Sequence, residues 1–361
     1  MLPPAGASPA ECWVAEGRQA AARDLLRQLL SLDSADPVFL LAAEQSDRDD
    51  LARLGAVPLE NPDGEFNFGK VLARVVDERG FKQLAYFGGG SAPLMSTDLL
   101  QEAFDRVGSA QGPMAVMNNY YSTDWVVLNH AQSLVALAER LPTDNPLGWV
   151  LDHDSGFKVH AFPPSAATRV DIDTPTDLIL IAHHPQLGPE LETFLDQIPP
   201  EWLERIDQLR QVLKTPASTL TLIGRASSHA WQTLEQRTQI WVRVFVEERG
   251  MVASGRLSRG EVKSFVGEIL EMWGPQAYIE HLSSLSDAVI WDTRVWMAHR
   301  GPWPSAADRF AADLGWDDQV EDSALRELTH AINNASIPIV AGGYGVVSGG
   351  LYALLETLDD V

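Results

Sequence analysis

The sequence predicts an α/β protein made of two successive α/β units. Three observations carry this. Short apolar segments alternate with amphipathic helical ones along the whole chain. The alternation pauses at a charged helical stretch and Thr215-Pro216-Ala217-Ser218, then restarts. A chain of 361 residues also suits two domains at ~100–200 residues each. The expected division is 1–195, a helical linker over 196–217, and 218–361.

In the first half, Ala21, Leu25, Leu26, Leu29 and Leu30 recur at helical spacing between Arg18 and Leu32, and Asp36-Pro37 ends that stretch. Val38–Ala43 then reads as a buried strand. A short helix over Asp47–Leu54 is expected to be capped by Ser46, and a second helix runs over Phe68–Arg79. Gln83–Phe87 is the next strand, followed by Gly88-Gly89-Gly90-Ser91-Ala92-Pro93 and a helix capped by Ser96. Met114–Met117 and Trp125–Leu128 are further strands, and the sheet is expected to be mainly parallel. Glu190–Leu213 is helical, interrupted at Pro199-Pro200. The second half begins with the strand Thr219–Gly224 and a helix from His229, followed by the strand Trp241–Val246. Helices over Val262–Trp273 and about Tyr278–Leu285 lead to strand Ala288–Asp292. A helix over Ser323–Asn333, strand Ile337–Ala341 and helix Ser348–Leu358 complete it.

Composition narrows the partners. Apolar residues make up 45% and charged residues 21%, enough material for packed cores. The net charge is −23, and neither half has a basic excess, which excludes bulk attraction to nucleic acid or an acidic membrane surface. The single cysteine, Cys12, excludes an intramolecular disulfide and any multi-cysteine metal site. No apolar run approaches the ~20 residues of a membrane helix, and Met1-Leu2-Pro3-Pro4 has no secretory signature. A cytoplasmic protein is the expectation.

The most specific stretch is Val170-Asp171-Ile172-Asp173-Thr174-Pro175-Thr176-Asp177-Leu178. Thr174 suits a helix cap and Pro175 the first helical position. Asp171 and Asp173, two apart on an extended segment, could share a hard cation such as Mg²⁺. The same acids fit a plain strand-to-helix junction stabilised by the helix dipole. This stretch resembles the D-I-D-T-P-E-D-L motif of the MobA-like nucleotidyltransferases. Asn61–Gly69 resembles that family's loop beside the nucleobase, and Leu84–Phe87 with Gly90-Ser91-Ala92-Pro93-Leu94 resembles its strand ending in D-x-P-L.

The resemblance covers roughly residues 1–195. It implies a GT-A-type fold, an NTP and a small phosphorylated acceptor as substrates, and Mg²⁺ as cofactor. Catalysis and metal binding would rest on Asp171 and Asp173. Nucleotide binding would involve Gly6, Asn67, Gly88, Gly89, Gly90 and Ser91. Two departures stand out. Ser91 occupies the expected metal-binding Asp position. The family's glycine-rich triphosphate loop survives only as Leu2–Ser8, with the strand ahead of it nearly absent. A transferase-like domain that no longer transfers is therefore a second reading.

The second half suggests a separate Rossmann-like parallel sheet with an anion site. Ten of its 11 basic residues are Arg, which favours planar recognition of phosphate or carboxylate. Arg225 and Ser227 follow the first strand, Arg243 marks the second, Asp292 and Arg294 end the third, and Gly342, Gly343 and Gly345 follow the last. At the carboxyl edge of a parallel sheet these could converge on a small anionic metabolite. Structural ion pairs and glycine turns are the competing explanation, and chemistry lying wholly in this half is a further alternative.

Overall fold

The computed structural model describes residues 1–35, 37–62 and 64–358; the expected break at Asp36 and the Asp63 position of the 61–69 loop lie outside them. Elements are mixed α/β. Contacts divide the chain into two compact units. The first comprises residues 1–4 and 18–171; the second comprises 5–17 and the chain from 172 on. The helices between 175 and 214 thus belong with the second unit.

The first unit holds two sheets. β1 (Phe39–Leu40) and β2 (Val57–Pro58) pair in parallel. The larger sheet contains β3 (Gln83–Phe87), β4 (Met114–Met117), β5 (Trp125–Asn129) and β6 (Lys158–Ala161), in the order β3-β5-β4-β6. Only β4 and β6 run parallel; β5 is antiparallel to both neighbours. The expectation of a mainly parallel sheet is corrected here. Residues 118–124 are too short for a parallel crossover, which needs a dozen residues or more, so β5 must return antiparallel beside β4.

β5 is buried throughout, with Trp125 stacked on Phe87 at 6.0 Å. One face of the sheet packs Phe87, Val116 and Val127 against Leu25, Leu29 and Leu100. The other packs Tyr86, Ala115 and Val126 against Leu72, Val76 and Leu134. Helices Phe68–Arg79 and Thr97–Gly108 begin where the sequence places them, on the caps Asn67 and Ser96. Ser46, however, lies inside helix Gln45–Arg53, whose cap position is Glu44.

The second unit has one sheet, β7 (Thr219–Gly224), β8 (Trp241–Val246), β9 (Ala288–Asp292) and β10 (Ile339–Gly342), in the order β10-β9-β7-β8. All three pairings are parallel. Each connection between consecutive strands contains a helix, as parallel pairing requires. Tyr278, Trp291, Trp296, Leu325, Leu328 and Ile339 fill its largest cluster. No helix among the described residues is long and apolar enough to cross a membrane.

Candidate functional site

In the first unit the polar groups gather at the carboxyl end of β3. The chain leaves Phe87 through Gly88, whose amide donates to Asp124 O at 2.9 Å, and turns so that Ser91 N–H and Ser91 Oγ both donate to Gly88 O. Ser91 is buried and pairs in an isolated antiparallel bridge with Asp171. The structure therefore brings together Ser91 and Asp171, which lie eighty positions apart. Gly89 is needed for a different reason, since the Met1–Leu2 backbone lies so close to it that a Cβ would collide with Met1 O. Gly90 completes the buried turn between them.

Three carboxylates surround this turn. Tyr86 Oη donates to Asp144 Oδ2 at 2.7 Å. Burial first, then Asp144, and further off Asp124 and Asp171, push the Tyr86 hydroxyl well above its ordinary range. Asp124 accepts from Asn118 Nδ2 at 2.6 Å, and Asn118 Oδ1 accepts the Asp124 amide in return. Asp144 also acts on the Met1 ammonium, which burial lowers to about 6. Asn67 is placed otherwise: its side chain accepts the Lys70 amide at 3.0 Å and caps the helix behind it. Asn118, Asp124 and Asp144 were not singled out from the sequence; Asn118, directly after β4, was the available signal.

Asp173 falls in the second unit and Asp171 in the first. Within the second unit the motif is a buried helix start. Asp177 Oδ2 accepts from the Asp173 amide (3.1 Å), the Thr174 amide (2.7 Å) and the Thr174 hydroxyl (2.9 Å), a reciprocal cap on helix Pro175–Ile181. Asp177 is 2% exposed, and burial, reinforced by Asp173, raises its pKa to about 7.

Gly6 also belongs to the second unit, with positive φ. The loop after it uses its own carboxylate: Glu11 Oε2 accepts from Ser8 N at 3.0 Å and Ala7 N at 3.4 Å, while Ser8 Oγ accepts from Glu11 N. The amides that would greet a phosphate already serve a side chain at the start of helix Pro9–Leu30.

The carboxyl edge of the second sheet is built of mutual partners. Asp292, fully buried at the end of β9, accepts from Arg225 Nε at 2.6 Å, Arg225 Nη2 at 3.1 Å and the Arg294 amide at 3.2 Å. Arg294, also buried, makes a fork to Asp313 at 2.8 and 2.5 Å. Arg225 also lies 5.1 Å over the Tyr344 ring. Both arginines are thus matched to carboxylates within the unit.

Ser227 caps helix Ser228–Arg237 by accepting the Ala230 amide. Arg243 is not at the carboxyl edge: it is mid-strand in β8, level with Thr221, and donates to Leu285 O. The glycines after β10 face the helix start described above. A Cβ on Gly342 would lie 2.8 Å from Thr176 Oγ1, one on Gly343 2.8 Å from Thr174 Cγ2, and one on Gly345 would collide with Asp177. The run is glycine so that helix Pro175–Ile181 can seat against it.

No protein-family model matches the chain, and no curated protein matches it. Among the described residues no group of three or more His, Cys, Asp or Glu is arranged to hold a metal ion. The Ser91–Asp171 pairing is a backbone bridge that sets one hydroxyl and one carboxyl side chain at opposed positions.

Proposed function

We propose that the first unit is a divergent domain of the MobA-like nucleotidyltransferase type that binds a nucleoside triphosphate as its Mg²⁺ complex. The observation that carries this is the pairing of Ser91 with Asp171 at the carboxyl end of β3. Two segments singled out by the resemblance, far apart in sequence, meet at the edge where α/β sheets take ligands. Asp171 is the carboxylate that would meet the cation, and the turn through Gly88–Ser91 lies at the phosphate end. Magnesium would neutralise charge on the triphosphate when bound.

Binding without transfer is the reading we favour. Ser91 brings no charge to the position where a second carboxylate would stand, and its hydroxyl already donates to Gly88 O. Titration calorimetry with GTP, CTP and UTP, with Mg²⁺ and with EDTA, tests this. One nucleotide is expected to bind only with Mg²⁺, at least tenfold more weakly in Asp171→Asn, and with no release of pyrophosphate. Absence of binding by all three, or equal binding in EDTA, overturns the site. Pyrophosphate release overturns the restriction to binding.

A further inference from the structure

The sheet of the second unit ends differently on its two sides. At β10 the Ala341 carbonyl accepts from Thr176 Oγ1 at 3.0 Å, so helix Pro175–Ile181 closes that edge. The β8 edge is open. Among the described residues β8 pairs only with β7. Trp241 N donates to Ser218 O and Glu247 N to Gly224 O, so the odd-numbered residues turn their backbone groups toward β7. Val242, Val244 and Val246 turn theirs outward, where among the described residues they have no partner.

The devices that usually guard an exposed edge are missing too. Residues 241–246 contain no proline and no acid, and their one charged side chain, Arg243, is tied back to Leu285 O at 2.6 Å. The edge is instead apolar. Trp241 is 70% exposed, Phe245 40% and Val246 48%. Phe265, 68% exposed, stands at the end of the strand, because Glu247 accepts its amide at 2.9 Å and the Ser264 hydroxyl as well.

We propose that β8 is a dimer interface, pairing antiparallel with β8 of a second copy of this chain. The outward groups select both the partner and the register. A twofold axis normal to the sheet keeps the faces matched, so residues of the same parity oppose one another. Centred on Val244, it sets Val244 against Val244 and Val242 against Val246, and every outward amide of each copy meets a carbonyl of the other. Centred on Arg243, it would oppose the two arginines and set Val246 against residue 240, outside the strand. Centred on Phe245, it would set Val242 against Glu248, whose φ of 56° has left the extended region.

The Val244 register also matches the exposed face. Arg243 lies against the partner's Phe245 with the partner's Glu247 on the diagonal, and Trp241 lies against that Glu247, beside Phe265. Two chains of net charge −23 repel, and an acid-free strand is a surface on which they can meet. At ~150–250 Å² per aromatic side chain, the exposed parts of Trp241, Phe245 and Phe265 offer on the order of 400 Å² per copy. That is about half of what one partner gives to a standard interface, before the valines and backbone are counted.

Analytical ultracentrifugation of the full chain is expected to show a species of about twice 39.6 kDa that tightens as salt screens the acidic surfaces. A monomer throughout the micromolar range overturns the proposal. Val244→Pro removes the outward amide at the axis, in a place where an edge strand tolerates proline. That variant and Trp241→Ala, a truncation at an exposed position, are each expected to weaken the dimer at least about tenfold while circular dichroism stays unchanged. A dimer indifferent to Trp241→Ala and to a folded Val244→Pro overturns the assignment to β8. Register is read by oxidation in a Cys12→Ser background. Val244→Cys is expected to cross-link the copies, since Cα atoms of a hydrogen-bonded antiparallel pair lie about 5.5 Å apart, within disulfide reach. Arg243→Cys, on a diagonal of ~7–8 Å, is expected not to. Cross-linking through Arg243→Cys but not Val244→Cys overturns this pairing.

Discussion

The two sheets meet their polar carboxyl edges in opposite ways. In the second unit, charges at the strand ends are consumed in pairs: Arg225 with Asp292 and Arg294 with Asp313, at 2.6 and 2.5 Å. In the first unit the corner beyond β3 collects Asp124, Asp144 and Asp171 around Tyr86 and Ser91. Matched charges in a buried edge hold loops in place and leave little for a ligand to gain. The gathered carboxylates act instead on a neighbour, raising the Tyr86 hydroxyl, while Asp144 and Asp124 accept from Tyr86 and Asn118. The difference teaches that residue type at a strand end does not by itself say what a side chain does there; the partners that packing supplies decide it.

The sharpest way to break the comparison is to unpair the second edge. Asp292→Ala leaves Arg225 and the Arg294 amide without their acceptor in a fully buried position. Loss of one partner of a buried ion pair is expected to destabilise by about 3–5 kcal/mol. Urea unfolding of the full chain measures it. If Arg225 instead served a ligand, the same substitution would change stability by less than about 1 kcal/mol.

The glycine run after β10 is the next largest lever. Gly345→Ala places a methyl group against Asp177, whose position is fixed by three hydrogen bonds to one oxygen. Overpacking of this kind is expected to cost about 1–3 kcal/mol. Gly108→Ala, at an exposed position without positive φ where a Cβ would meet nothing, supplies the comparison. A loss at Gly345 no larger than at Gly108 would mean the helix seat is loose.

Much of this architecture was legible before the structure. β3, β4, β7, β8 and β9 begin where apolar runs begin, and Ser96 caps the helix after it, whereas Asn67 and Ser227, read as ligand contacts, are caps as well. These features depend on local periodicity and local hydrogen bonding. Strand direction was less legible, because antiparallel β5 is dictated by the length of the 118–124 connection rather than by its own composition. The roles of the two motifs were legible only in part. Thr174-Pro175 announces a helix start, but nothing local shows that Asp177 would be seated against Gly345, 168 positions further on. The candidate site at β3 was half legible: Ser91 and Asp171 stand out in the sequence, whereas Asp124 and Asp144 enter through long-range packing.

Acid dependence sharpens the role of Asp177. Its pKa is near 7 in the folded chain and about 3.9 when unfolded. The folded state therefore holds the extra proton between those values. The stabilisation is present in full below about pH 4 and is lost as pH rises through 7. Asp177→Asn, which keeps an acceptor for the Thr174 amide without an ionisable group, is expected to flatten that decline in melting temperature between pH 5 and 8. An unchanged slope would assign it to other carboxylates.

The smallest effect returns to the first unit. Asn67 was a candidate nucleobase contact, yet its Oδ1 accepts the Lys70 amide at 3.0 Å. If capping is its whole contribution, Asn67→Ala costs about 1 kcal/mol, and Asn67→Asp, which retains the acceptor and adds a charge favourable to the helix N-terminus, restores stability. Nucleotide affinity then changes little in either variant when measured with saturating Mg²⁺. A loss of affinity in Asn67→Ala, with stability rescued but binding unrescued in Asn67→Asp, would mean that the base is read by the Asn67 amide group. That outcome would extend the site from the Ser91–Asp171 pair to the helix start at residue 68.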